Sequence, residues 1–252
     1  MQYGLLGPLR VVDRDRPCTP TAAKVRVLLA ALLVRPNQMV PTERLVEEIW
    51  VDHPPRRAEA GVHVYVSQLR KLLATGGEHP IATRPPGYQL DVPDGALDVA
   101  CFEAQVLRGR RELAAGDFSR AAGTFATALG LWRGPALCDV LVGRGLATVA
   151  TRLEEARLEA VELRIEADIA LGRHLELIGE LRALIVEHPF REAFHRQLML
   201  TLYRSERQTD ALHAYLGVRR LLNEELGVEP GRPLRRLQKA ILVGDRALDL
   251  DR

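Results

Sequence analysis

One stretch of this chain constrains its fold more than any other. Between Arg56 and Leu73, at 100° per residue, Val62, Val66, Leu69 and Leu73 follow i, i+4, i+7, i+11 and form an apolar stripe. Val64, Ser67, Gln68 and Lys71 fall on the opposite side. Such a helix must bury its back, and its front is either solvated surface or a reading surface. The flanking sequence favours reading. After Gly76-Gly77, the segment IATRPPGYQLDV predicts strands at Ile81–Arg84 and Tyr88–Val92 around the tight-turn sequence Pro85-Pro86-Gly87. Before the helix lie two more helical patterns. One spans Thr21–Val34, with Val25, Leu28, Leu29, Leu32 and Leu33 at helical spacing, Pro20 at its entry and Pro36-Asn37 as its stop. The other runs from Thr42, whose hydroxyl is expected to cap the free amides, through Leu45, Val46 and Ile49 to Trp50, and Pro54-Pro55 ends the connection after it. At the front, YGLL and LRVV around Gly7-Pro8 predict a small hairpin or meander. Strands, three helices and a hairpin are the order of a winged helix-turn-helix, here expected over residues 1–95.

From Leu97 onward no convincing strand pattern occurs. Helical segments such as FSRAAGTFATALGLW and TDALHAYLGVRRLLNEEL alternate with breaks at Gly116-Asp117, Gly134-Pro135, Gly172, His188-Pro189, a polar stretch near Ser205, and Gly227 to Gly231. ALGRHLELIGEL and YRSERQTDALHAY align in phase about Gly172 and Glu206, 34 residues apart, the period of tetratricopeptide repeats. Gly116 and Gly172 are 56 residues apart, so the intervening unit is longer. The fold class expected is mainly α: a winged helix-turn-helix with short β-strands, followed over residues 96–252 by an all-α, tetratricopeptide-like domain of helical hairpins.

Signatures of catalysis are absent from the sequence. There is no GxxxxGK[ST] phosphate loop, GxGxxG, HExxH or GxSxG, so neither a catalytic site nor a cofactor is expected. Cys18, Cys101 and Cys138 lack CxxC or Cys/His spacing, which argues against a metal site or disulfide framework, and they read as small buried hydrophobes. The seven histidines form no cluster, and His188 and His195 read as surface or packing residues. Glu47-Glu48 and Glu154-Glu155 sit among arginines at helical spacing and read as solvated ion pairs. The longest apolar run, Val27–Val34 between Arg26 and Arg35, is too short for a bilayer span, and MQYGLLGPLR lacks the pattern of a secretory signal. A cytoplasmic protein without membrane contact is expected.

Whole-chain charge is only +2 and announces no partner. Residues 1–95 hold 12 Lys/Arg against 10 Asp/Glu, and the remainder 23 against 23, so the small excess lies at the front. Local chemistry is more telling. A groove-reading helix needs a stiff apolar back, small or polar residues on its front and cations at its margins. Arg56 and Arg57 stand at the helix start, where phosphate can meet both charge and free amides. Gln68 offers a paired donor and acceptor to adenine, Ser67 and Lys71 can reach backbone or base, and Val64 lies on the same front. Arg84 precedes the turn of the wing, placed to enter a minor groove.

KVRVLLAALLVRPNQMVPTERLVEEIW, HVYVSQLRKLL and IATRPPGYQL resemble the winged head of the SARP-type antibiotic regulatory proteins, itself related to response-regulator DNA-binding domains. LWRGPAL, LEEARLEAVELRIEADIALGRH, EHPFRE and LLNEELGVEPG resemble the bacterial transcriptional activation domain that accompanies it. The resemblance implies binding to direct repeats in promoter DNA, contact with RNA polymerase holoenzyme, a homodimer at least on DNA, and activation of antibiotic or other secondary-metabolite genes. It also implies phosphate contacts for Lys24 and Arg26, groove or phosphate positions for Tyr65, Ser67, Arg70 and Lys71, and wing positions for Thr83, Arg84 and Tyr88. Two residues depart from the pattern: Gln68 stands where the family usually has arginine, and Glu206 where its turn usually has glycine. Larger members append an ATPase or phosphopeptide-binding module, and the segment after Leu242 is too short for either. Two other readings remain compatible with the sequence: a tetratricopeptide-like adaptor whose head binds protein, and a repressor that uses the same head.

Overall fold

The computed structural model describes residues 1–74, 79–140 and 143–249, so the expected break at Gly76-Gly77 lies outside the described residues. Two compact units emerge: residues 1–107 together with 127–159, and residues 108–126 together with Ala160 onward.

The first unit opens on a three-stranded antiparallel sheet, β1 (Gln2–Gly4), β2 (Arg10–Asp13) and β3 (Arg16–Pro17), with Tyr3 opposite Val11 and Val12 opposite Pro17. The β2–β3 turn has Arg14 and Asp15 both at positive φ, 44° and 69°, as a two-residue hairpin turn requires. Neither is the Asn or Gly that announces such a turn, which is why the third strand is not readable in the sequence. Helix α1 (Ala23–Leu33) follows and is enclosed, with Val25 and Val27 through Leu33 all buried. A short strand β4 (Met39–Pro41) comes next and joins the wing, giving sheet order β4-β6-β5 with β5 (Ile81–Arg84) and β6 (Gly87–Leu90). Gly87 makes this pairing possible, because a Cβ there would lie 1.9 Å from the Val40 carbonyl oxygen. Asn37, expected only to stop α1, adopts φ 62° and brackets Val92 with two hydrogen bonds, of 3.0 and 2.7 Å.

Helix α2 (Thr42–Trp50) corrects one expectation. Pro41 occupies the N-cap position, and both the amide and the hydroxyl of Thr42 donate to the Pro86 carbonyl, at 3.1 and 3.0 Å. Thr42 therefore ties the helix start to the wing turn instead of capping its own helix. Helix α3 (Ala58–Leu72) buries the expected stripe: Val62, Val66, Leu69 and Leu73 are all at most 1% exposed.

Beyond the wing, carboxylates fasten later residues to the opening sheet and α1. Asp98, in the first turn of α4 (Asp98–Ala114), accepts the amides of Leu5 and Leu6 and the guanidinium of Arg133. Asp139 accepts the Leu9 amide at 2.9 Å and pairs with Arg26. Glu154 forms the expected solvated ion pair, with Arg157 at 3.6 Å, and its other oxygen accepts the Ala136 amide at 2.6 Å, whereas Glu48, expected as an ion-pair former, accepts the Leu146 amide at 3.2 Å. Each satisfies an amide that a helix or a loop leaves free. The cysteines also differ from expectation, since Cys18 and Cys101 are half-buried and Cys138 is exposed.

The second unit contains α7 (His174–Glu187), α8 (Glu192–Arg204), α9 (Gln208–Leu226) and α10 (Arg232–Val243), with part of the long α6 (Arg144–Ala170) and of α5 (Phe118–Leu129). The expected phase between repeats is visible in the turns. Gly116, Gly172 and Glu206 all have positive φ, at 76°, 79° and 61°, and each following helix begins two residues later. In each turn the next amide reaches back to close the preceding helix: Asp117 to Glu112, Arg173 to Asp168, Arg207 to Leu202. Helix α8 packs against α7, α9 and α10 and buries Phe194, His195, Leu198, Met199 and Leu202. His195 is a packing residue, its Nε2 lying 2.8 Å from the Pro189 carbonyl oxygen. Among the described residues no helix is long and apolar enough to cross a membrane.

Candidate nucleic-acid interface

Position of α3 follows from one aromatic side chain, which the sequence shows only as the end of a helix. Trp50, the last residue of α2, lies so close to α3 that a Cβ on Gly61 would meet its ring at 2.9 Å. Tyr65 stacks on it with ring centres 5.9 Å apart, and the Lys24 ammonium sits 4.9 Å from the ring centre. Trp50 thus joins the start of α1, the end of α2 and the side of α3, and it half-buries Tyr65. The available signal was the juxtaposition of a large residue at a helix end with a glycine inside a helix, where glycine costs about 1 kcal/mol and calls for a packing reason.

The wing is fixed to α3 by Arg70. Its Nε donates to the Ile81 carbonyl at 3.1 Å, an Nη donates to the Thr83 hydroxyl at 2.8 Å, and its guanidinium lies 5.9 Å from the Tyr88 ring centre. His63 meets the edge of the same ring. Tyr88 is only 7% exposed, so the position carried over to it as a wing contact is a core position. Arg70 is correspondingly a brace, with two of its five donors engaged by the wing. Arg26 is also committed within the protein, paired with Asp139 beside the Leu9 amide. Its Nε is buried without a hydrogen-bond partner, which leaves little of the guanidinium for a phosphate.

The remaining candidates are brought together on the surface. Val64 is 55% exposed, and Ser67, Gln68 and Lys71 are exposed around it. Arg56 and Arg57 are exposed immediately ahead of α3, and Thr83 and Arg84 at the tip of β5. Arg56, Arg57, Lys71 and Arg84 make no ion pair among the described residues. The one acid on α3, Glu59, falls about 140° around the helix from Val64, off the reading front. At about 1.5 Å per residue the 15 residues of α3 make a rod of roughly 22 Å, a size that a major groove admits.

Residues 17–90 match the family described as Transcriptional regulatory protein, C terminal, and residues 97–242 match the Bacterial transcriptional activator domain. The chain belongs to the SARP family of transcriptional regulators. It is 40% identical over 245 residues to the transcriptional regulatory protein EmbR of Mycobacterium tuberculosis, covering 96% of this chain and 63% of EmbR. Against the regulatory protein DnrI of Streptomyces peucetius it is 38% identical over 257 residues, 99% of this chain and 94% of DnrI. The regulatory protein AfsR of Streptomyces coelicolor is 38% identical over 98% of this chain, which spans 25% of AfsR. Among solved structures, Mycobacterium tuberculosis EmbR in complex with a low-affinity phosphopeptide superposes with a TM-score of 0.93 at 40% identity, over 96% of this chain and 65% of that one. The chain thus spans less than two thirds of EmbR. Both matched families are those of transcriptional regulators, the first a regulatory-protein C-terminal domain and the second an activator domain.

Proposed function

We propose that this SARP-family regulator activates transcription from promoters carrying direct repeats, with one winged head seated on each repeat. The exposed front of α3, flanked by arginines that make no ion pair among the described residues, carries the reading. With α3 in the major groove, the Gln68 amide pairs with adenine and the Val64 methyls meet a thymine methyl. Ser67 and Lys71 take backbone or base positions, Arg56 and Arg57 meet phosphate at the helix start, and Arg84 enters the adjacent minor groove. Residues 1–95 constitute the DNA-binding domain. Residues 96–252 constitute the activation domain, which contacts RNA polymerase holoenzyme and a second copy of the chain on DNA. The regulated genes form a secondary-metabolite cluster, such as one for an antibiotic.

Packing affects how this division is tested. A head cut after Asp94 loses Asp98 and Asp139, which hold the amides of Leu5, Leu6 and Leu9 and the side chain of Arg26. Point substitutions in the full chain are therefore the cleaner perturbation. The test is footprinting on the promoters beside its gene, followed by transcription from those promoters with purified polymerase. Protected repeats together with increased transcript are the expected result. Protection with decreased transcript would make the protein a repressor, and retention on DNA that ignores both salt and sequence would refute the DNA-reading role of α3.

A further inference from the structure

Acidic and basic residues balance after residue 95, but their placement does not. Helix α10 carries Arg232, Arg235, Arg236 and Lys239 and no acid. These four follow i, i+3, i+4, i+7, so they line one face within about 100° of arc. All four are exposed, and none makes an ion pair among the described residues. Glu229 lies near Arg235 but is held in a two-pronged pair with Arg219, at 2.8 and 2.9 Å. On the opposite face, Leu234 and Ile241 are buried, and the Ile241 carbonyl accepts the Gln208 side-chain amide at 2.7 Å. The apolar side of this amphipathic helix is thus already used for packing, and Leu242 and Val243 at its C-terminal end are its exposed large apolar residues. What faces outward is a row of cations roughly 10 Å long, at about 1.5 Å of rise per residue.

We propose that the basic face of α10 is a second DNA-contact surface, binding backbone phosphates outside the base pairs read by α3. Three of its four cations are arginines, whose forked donors suit phosphate oxygens. Its occupant follows from charge complementarity together with the DNA binding proposed above, on which this inference rests: once a head is seated, the flanking phosphates are the polyanion held at high effective concentration. Because a phosphate row carries no sequence information, this surface raises affinity and leaves base preference unchanged.

The experiment compares full-length protein with a variant carrying Arg232→Ala, Arg235→Ala, Arg236→Ala and Lys239→Ala. The probe is an operator duplex extended by two helical turns on each side, titrated across a salt series. Each lost phosphate contact lowers the slope of log affinity against log salt by about 0.9, so three contacts account for about 40-fold of the affinity change between roughly 50 and 200 mM salt. A slope reduced by about 2 to 3.6, with the ratio of operator to scrambled-sequence affinity unchanged, is the expected result. Lysine at the three arginine positions should restore the slope, which a merely structural role would not do. An unchanged slope overturns the proposal. So does unchanged DNA binding with lost transcription, which assigns the face to an acidic protein surface. Loss of the operator preference itself would indict the winged head, a failure distinguishable because Gln68→Ala reproduces it without altering α10.

Discussion

Replacing Arg70 separates two accounts of the wing. In the structure its guanidinium holds the Ile81 carbonyl at 3.1 Å and the Thr83 hydroxyl at 2.8 Å while lying against Tyr88. The Ile81 bond is partly buried and charge-assisted, and the Thr83 bond is exposed and weaker. With a small cation–π contribution the three interactions hold wing to helix by about 2 kcal/mol. That corresponds to a factor of about 30 in the equilibrium for wing opening. Arg70→Ala should therefore speed hydrogen exchange of the β5 and β6 amides by up to about 30-fold, as far as local opening governs that exchange, with much smaller changes in the α1 amides. Arg70→Lys is the more discriminating variant. It keeps the charge and loses the fork that spans two acceptors, so wing exchange should rise nearly as much and operator affinity should fall. A direct phosphate contact behaves otherwise. Arg70→Lys would then bind almost normally, Arg70→Ala would lower the salt slope by about 0.9, and wing exchange would be untouched in both. That pattern would refute the bracing role.

Gln68→Ala should cost about 1 to 3 kcal/mol at one base position and relax preference there, whereas Arg84→Ala should weaken binding across all operator variants; competition assays over a panel of single-base changes would read both. Equal effects of the two substitutions on every variant would remove Gln68 as a base reader. Glu206→Gly should raise stability by about 1 kcal/mol, because glycine relieves the left-handed conformation at φ 61°, and a lower urea midpoint than the parent protein would contradict it. Stability of the second unit should fall as pH drops below about 6.5, the ordinary histidine value. Burial lowers the pKa of His174, aided by nearby Arg204, and burial also lowers that of His195 against opposing contributions from Pro189 and Glu192. The unfolded chain therefore takes up protons first, and the stability present above the unfolded value is lost as pH falls through the folded one. Urea midpoints from pH 7.5 to 5 should decline less in a His174→Leu, His195→Leu double variant; an equal decline would show that these rings are not responsible.

What the sequence determined by itself was what depends on periodicity and on turns built from glycine and proline. The apolar stripe Val62, Val66, Leu69 and Leu73 was legible because a helix repeats every 3.6 residues wherever it packs, so the opposite front of Val64, Ser67, Gln68 and Lys71 was legible with it. The hairpin around Pro85-Pro86-Gly87 and the phase between Gly172 and Glu206 were readable for the same reason, since residues adjacent in sequence make the turn. Tertiary structure decided which exposed-looking groups were free. Arg26 and Arg70 have the same chemistry as Arg56 and Arg84, and only a carboxylate 113 residues away and a carbonyl 11 residues away engage the first two within the fold. The same holds for Tyr88, placed in the core by α3, and for Thr42, turned to Pro86 by the wing. Strand β4 was invisible because three residues carry no period, and its partner lies on β6, far along the chain. A hydrogen-bonding group can be satisfied from any distance in sequence, so its availability to a ligand is a property of the assembled fold and not of its neighbours in the chain.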